Sequence, residues 1–77
     1  MDQAEVLQAR GRGVLREAIL TPAADANGWV MLFLTADGRQ LQLTSSGGHE
    51  HVFHDLDQAS ALGKELGFDQ VRIEERF

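Results

Sequence analysis

All three histidines of this chain fall within six residues, His49-Glu50-His51-Val52-Phe53-His54, with Asp55 and Asp57 just beyond. On a strand, His49 and His51 point the same way, as two imidazole ligands of a zinc or nickel ion completed by a carboxylate would. His54 falls on the opposite face, and no fourth ligand has a diagnostic spacing. The plainer account is a solvated edge strand running into a helix cap, where polar residues discourage edge-to-edge pairing. Ser45 and Ser46 precede His49, but no orienting acid or oxyanion hole accompanies them, so they do not define a nucleophilic site. Gly47-Gly48 leads into a strand, not a helix, which argues against a phosphate loop. Gly11 and Gly13 lie inside a helical pattern. The carboxylates form no evident catalytic pair. The expectation is a protein without catalytic residues and without a cofactor.

The aromatic residues suggest a different use. Trp29 to Leu34 reads Trp-Val-Met-Leu-Phe-Leu, a strand apolar on both faces. An Asp37-Gly38 turn follows, and Arg39 to Thr44 alternates apolar with polar, the signature of a two-residue hairpin. That register places Leu34 opposite Leu41 and Leu32 opposite Leu43. Val30, Leu32, Leu34, Leu41 and Leu43 then share one face, and Trp29, Met31 and Phe33 share the other. The second face needs a cover: the N-terminal helix or another chain.

The remaining elements follow from period and punctuation. Residues 2–20 read as a helix, with Ala4, Leu7, Gly11, Val14 and Ala18 at helical spacing and Leu15 and Ile19 widening the stripe. Gly11 and Gly13 weaken it by about 1 kcal/mol each, and are read as a close approach to another element rather than as a hinge. Thr21-Pro22 ends this helix, and residues 21–28 form a linker. Ser45 to Gly48 makes a turn, and Glu50 to His54 a third strand. Its register is open between Val52 and Phe53 inward, with Phe53 favoured for its larger apolar area. Asp55 is the N-cap of a second helix, with Gln58 completing a capping box. Leu56, Ala59, Leu62, Gly63 and Leu66 form its apolar stripe, Gly67 caps its C-terminus, and Phe68 folds back on it. Asp69 to Arg76 supplies a last strand, with Val71 and Ile73 on one face. The whole is a single α+β domain over 1–77, in the order α-β-β-β-α-β. Its sheet is small and mostly antiparallel, with helix 55–67 on one face and helix 2–20 on the other face or in a dimer interface.

With 77 residues and no cysteine, the chain buries only about 60–65% of its unfolded surface and has no disulfide to compensate. Oligomerisation is the remaining common remedy. The formal net charge is −5, which repels phosphate backbones and anionic lipid unless the bases cluster. No apolar run approaches a membrane span, and the start lacks the pattern of a signal peptide. A cytoplasmic homodimer acting on an unidentified protein partner is the expectation. Its interface would be built on Trp29, Met31 and Phe33, with Val14 and Leu15 covering them or joining in. The alternative is nucleic-acid binding on the sheet face, with Arg39, Lys64 and Arg72 on phosphates and Trp29 or Phe33 stacking on bases.

Two stretches carry a family resemblance. Gly28-Trp29-Val30-Met31-Leu32-Phe33 with its Asp37-Gly38 turn is one. Val52-Phe53-His54-Asp55-Leu56-Asp57-Gln58-Ala59, through Leu66-Gly67-Phe68 to Val71-Arg72-Ile73, is the other. Together, over about residues 14–75, they resemble small proteobacterial proteins labelled plasmid replication (RepB-type) or partition accessory proteins. The resemblance implies a role near plasmid or mobile-element DNA. The β-β-β-α order of residues 29–67 also looks like the arm-binding domains of tyrosine recombinases, which lay a three-stranded sheet on DNA. Those domains are basic, and this acidic chain departs from them there.

Overall fold

The computed structural model describes residues 1–23, 27–45, 48, 49 and 51–74. Its elements are α1 (Gln3–Gly11), β1 (Leu15–Pro22), β2 (Trp29–Thr35), β3 (Gln40–Gln42), β4 (Val52–Phe53), α2 (Leu56–Glu65) and β5 (Val71–Ile73). The α+β class and the mostly antiparallel sheet agree with the sequence reading. The expected turn residues Ser46 and Gly47, Glu50 of the third strand, and Arg76 and Phe77 lie outside the described residues.

The segment 2–20 is not one helix. Asp2 caps α1 through a capping box: its carboxylate accepts from Glu5 N at 2.9 Å, and Glu5 Oε1 accepts from Asp2 N at 3.2 Å. Gly13, at φ +73°, then stops it. Gly13 N donates to Arg10 O and Val14 N to Ala9 O, both at 3.1 Å, the paired bonds of a Schellman ending. Gly13 has open space around its α-carbon, so conformation, not close packing or a hinge, explains it. The chain turns and becomes β1. The helical appearance of 14–20 comes from a β-bulge. Leu15 pairs with Thr35 but Glu17 pairs with Leu34, so Arg16 is an inserted residue. Leu15, Ala18 and Leu20 therefore face the same way, with a three-residue step that mimics a helix. Thr21 and Pro22, expected in the linker, end β1 opposite Val30 and Trp29.

The hairpin register also differs by one residue. Leu32 pairs with Gln42, Phe33 with Leu41 and Leu34 with Gln40. The loop has three residues, not two: Gly38 N donates to Thr35 O at 3.1 Å, and Thr35 N donates to Arg39 O at 2.8 Å. Gly38 takes the left-handed position that closes such a loop. A slip of one residue exchanges the faces of a whole strand. Leu41 and Leu43 thus join Met31 and Phe33, while Gln40 and Gln42 join Leu32 and Leu34.

The strand order is β3-β2-β1-β5, with β4 paired to β2 at Trp29 and Val30. β5 is parallel to β1, and the other pairings are antiparallel. α2 therefore spans from β4 on one side of the sheet to β5 on the other. Asp55 caps α2, but its carboxylate accepts from Asp57 N at 2.8 Å, and no reciprocal bond from Gln58 closes a box. At the far end, Gly67 N donates to Lys64 O and Phe68 N to Gly63 O, the same ending as in α1, as the sequence indicated. Phe68 folds into the core and stacks on Phe33, ring centroids 5.5 Å apart.

Both helices lie on one face. Val6 and Ala9 of α1, Ala59 of α2, and Leu66 and Phe68 join Ala18, Leu20, Met31, Phe33, Leu43 and Phe53 in a single core. Phe53 rather than Val52 is the inward residue of β4. α2 sits so close that a methyl on Gly63 would run into Val71 Cγ2 and lie 3.6 Å from Met31 Cε. Arg10 ties the two helix ends together. Its guanidinium donates to Gly67 O from Nε at 3.2 Å and from Nη2 at 2.6 Å, and lies over the Phe68 ring.

Candidate interaction surface

Among the described residues no helix covers the opposite face of the sheet. Alternation from the observed pairings puts Glu17, Ile19 and Thr21 of β1 on it, beside Val30, Leu32 and Leu34 of β2. Val52 of β4 lies opposite Val30, and Arg72 of β5 opposite Ile19. Ile19 and Val30 are sheltered at 1% and 5% exposure, yet neither belongs to the core under the helices. Leu32, Leu34 and Val52 are half-buried around them. Polar groups rim the patch: Gln40 and Gln42 on one side, and on the other Arg72, whose guanidinium reaches Glu17 at 3.3 Å and Glu74 at 2.7 Å.

The residues expected to form an interface are elsewhere. Met31 and Phe33 are 0% exposed, and Leu15 is 2%. They are core, and the face containing them is the one that both helices cover. Trp29 is half-buried and packs against that core. Val14, at 39% exposure, sits where α1 turns into β1. The expectation that helix 55–67 would cover Leu32 and Leu34 is likewise corrected, for the same one-residue reason. The informative signal was real, since β2 is apolar on both faces. The residues left over are Leu32 and Leu34, joined by Ile19 of β1, opposite Leu32.

Of the three basic residues of the nucleic-acid reading, two come together and one stands apart. Arg39 lies at the β2–β3 turn, paired with Asp37 at 3.0 Å. Lys64, on α2, and Arg72, on β5, line a common shallow cleft with Glu17 and Asp69. Phe33 has no exposed ring to offer a base.

The histidines have local roles. His51 stacks on Phe53 with centroids 4.4 Å apart. His54 Nδ1 lies 2.9 Å from the Asn27 carbonyl oxygen and donates to it as the Nδ1–H tautomer. Ser45 and His49 meet through backbone atoms, Ser45 N donating to His49 O at 2.8 Å. Among the described residues no group of three histidine, aspartate or glutamate side chains is placed to hold a metal ion, and no helix is long and apolar enough to cross a membrane. The Asp37 carboxyl is held below its ordinary value, chiefly by the Thr35 hydroxyl that donates to it. Desolvation opposes this, and Arg39 adds to it. This acid belongs to the hairpin loop.

No protein family, curated protein or solved structure matches this chain.

Proposed function

We propose that this chain is a non-enzymatic α+β module that self-associates as a homodimer through the helix-free face of its sheet and acts through protein contacts. The observation that carries this reading is the apolar patch of Leu32, Leu34 and Val52 around Ile19 and Val30, on the side of the sheet away from both helices. A small domain without disulfides gains stability by removing such a patch from water.

The charge pattern favours a second copy over an unrelated partner. In a two-fold interface a patch meets itself, so it must be complementary to itself. Here an acid and a base, Glu17 and Arg72, stand side by side at one rim, and each can face its opposite in the other copy. The face spans at most roughly 20 by 25 Å, about 500 Å² per copy, which is below the size of stable interfaces. Dissociation on dilution is therefore expected.

The test is methyl-detected NMR over a dilution series. The Leu32, Leu34 and Val52 methyls should shift with concentration while the Leu20 and Leu43 methyls stay fixed. Concentration-independent spectra, or shifts confined to Leu7 and Val14, would remove the proposal.

A further inference from the structure

A second surface segregates charge. Two adjoining depressions share Glu17, Asp69 and Gln70 where α2 leads into β5, the larger about 520 Å³. Among the described residues their lining holds four cations, Arg10, Arg16, Lys64 and Arg72, and two carboxylates, Glu17 and Asp69. The chain as a whole has 7 basic and 12 acidic residues, so this groove runs against the sign of the molecule. Arg10 is committed to Gly67 O and Arg72 to Glu17 and Glu74, but Arg16 and Lys64 enter no ion pair among the described residues.

The groove borders a sheet edge. β5 ends the strand order and pairs only with β1 among the described strands. Glu74 N donates inward to Leu20 O at 2.8 Å. By the alternation of a parallel ladder, the N–H groups of Val71 and Ile73 therefore point outward. A strand laid beside β5 would send alternate side chains to the two sides of the sheet. On the helix side they meet Ser60 and Lys64, which line the groove. On the other side they meet Arg72, on the Glu17 face.

We propose that the β5 edge and its groove bind an extended acidic peptide segment of another protein, added as a strand, with main-chain bonds to Val71 and Ile73 and carboxylates on Lys64 and Arg16. This site borders the proposed dimer face and shares Glu17 and Arg72 with it, but differs from it in Lys64 and Ser60, which sit on α2 on the other side of the sheet.

The probe is a short peptide alternating glutamate with valine, titrated into the isotope-labelled full chain. Amide shifts at Ser60, Lys64 and Val71 to Ile73, with slowed exchange of the Val71 and Ile73 amides, are expected. Replacing the glutamates by glutamine should weaken binding at least about tenfold, and Lys64→Glu in the protein should do so by roughly tenfold. Equal binding of the glutamine peptide, or shifts on the Leu32 and Leu34 face instead, would overturn the proposal. So would displacement of the peptide from these residues by an oligothymidylate, or the same β5 shifts on concentrating the protein alone, which would place a second copy there.

Discussion

The two faces of this sheet are built from the same strands and differ in what lies over them. On one, Met31 and Phe33 lose all exposure beneath α1, α2 and Phe68. On the other, Leu32 and Leu34 alternate with them along β2, yet stay half-buried with polar neighbours at the rim. The difference teaches that an apolar residue on a strand says only that a face is to be buried. Which face is buried within the chain is decided by register and by where the helices go.

The sharpest way to probe this contrast is a pair of alanine substitutions on adjacent residues of β2. Phe33→Ala should cost about 3–5 kcal/mol and leave much of the population unfolded, because it empties the space shared with Phe68. Leu32→Ala should cost about 1–2 kcal/mol in urea denaturation at a protein concentration low enough to dissociate any dimer. Equal losses would erase the distinction between the faces. A narrower challenge targets the helical cover. Gly63→Ala forces a methyl towards Val71, and should lower stability by about 1–3 kcal/mol through overpacking. A neutral result would mean that α2 sits farther from the sheet. Gly13→Ala tests the ending that lets β1 begin. A left-handed alanine costs about 1 kcal/mol or somewhat more, with no loss from packing, since its surroundings are open.

The smallest effect concerns the loop that fixes the register. Asp37 has a folded-state pKa below its ordinary 3.8. Its contribution to stability is therefore fully present above the unfolded value and is lost as pH falls through the folded one. Denaturation curves should show a slight acid-side loss below pH 3.8 that Asp37→Asn lacks. An identical pH profile in the variant would show that the carboxylate does not support the loop.

Legibility in the sequence tracked how local each cause was. The α2 N-cap Asp55, the Gly67 ending and the inward Phe68 were readable because each depends on a few adjacent residues. Gly13 carried the same signal as Gly67. It was obscured because the bulge at Arg16 gave Leu15 and Ala18 a helical spacing, so the pattern ran on past the true stop. The Asp37-Gly38 pair announced a hairpin but not the length of its loop. Thr35, whose hydroxyl accepts from Arg39 N at 2.9 Å, draws the closing pair one residue outward. That one residue reassigned every side chain of β3 and moved the candidate surface from Met31 and Phe33 to Leu32 and Leu34. Arg10 bridging to Gly67, 57 positions away, had no local signature.

The measurement that bears most directly on the account is solution mass by light scattering across a dilution series, for the wild-type chain and for Leu34→Asp. The account predicts a wild-type dimer that dissociates on dilution, and a Leu34→Asp chain that is monomeric at every concentration while keeping the wild-type circular dichroism. A wild-type chain that stays monomeric when concentrated, or a folded Leu34→Asp chain that still dimerises, would contradict it.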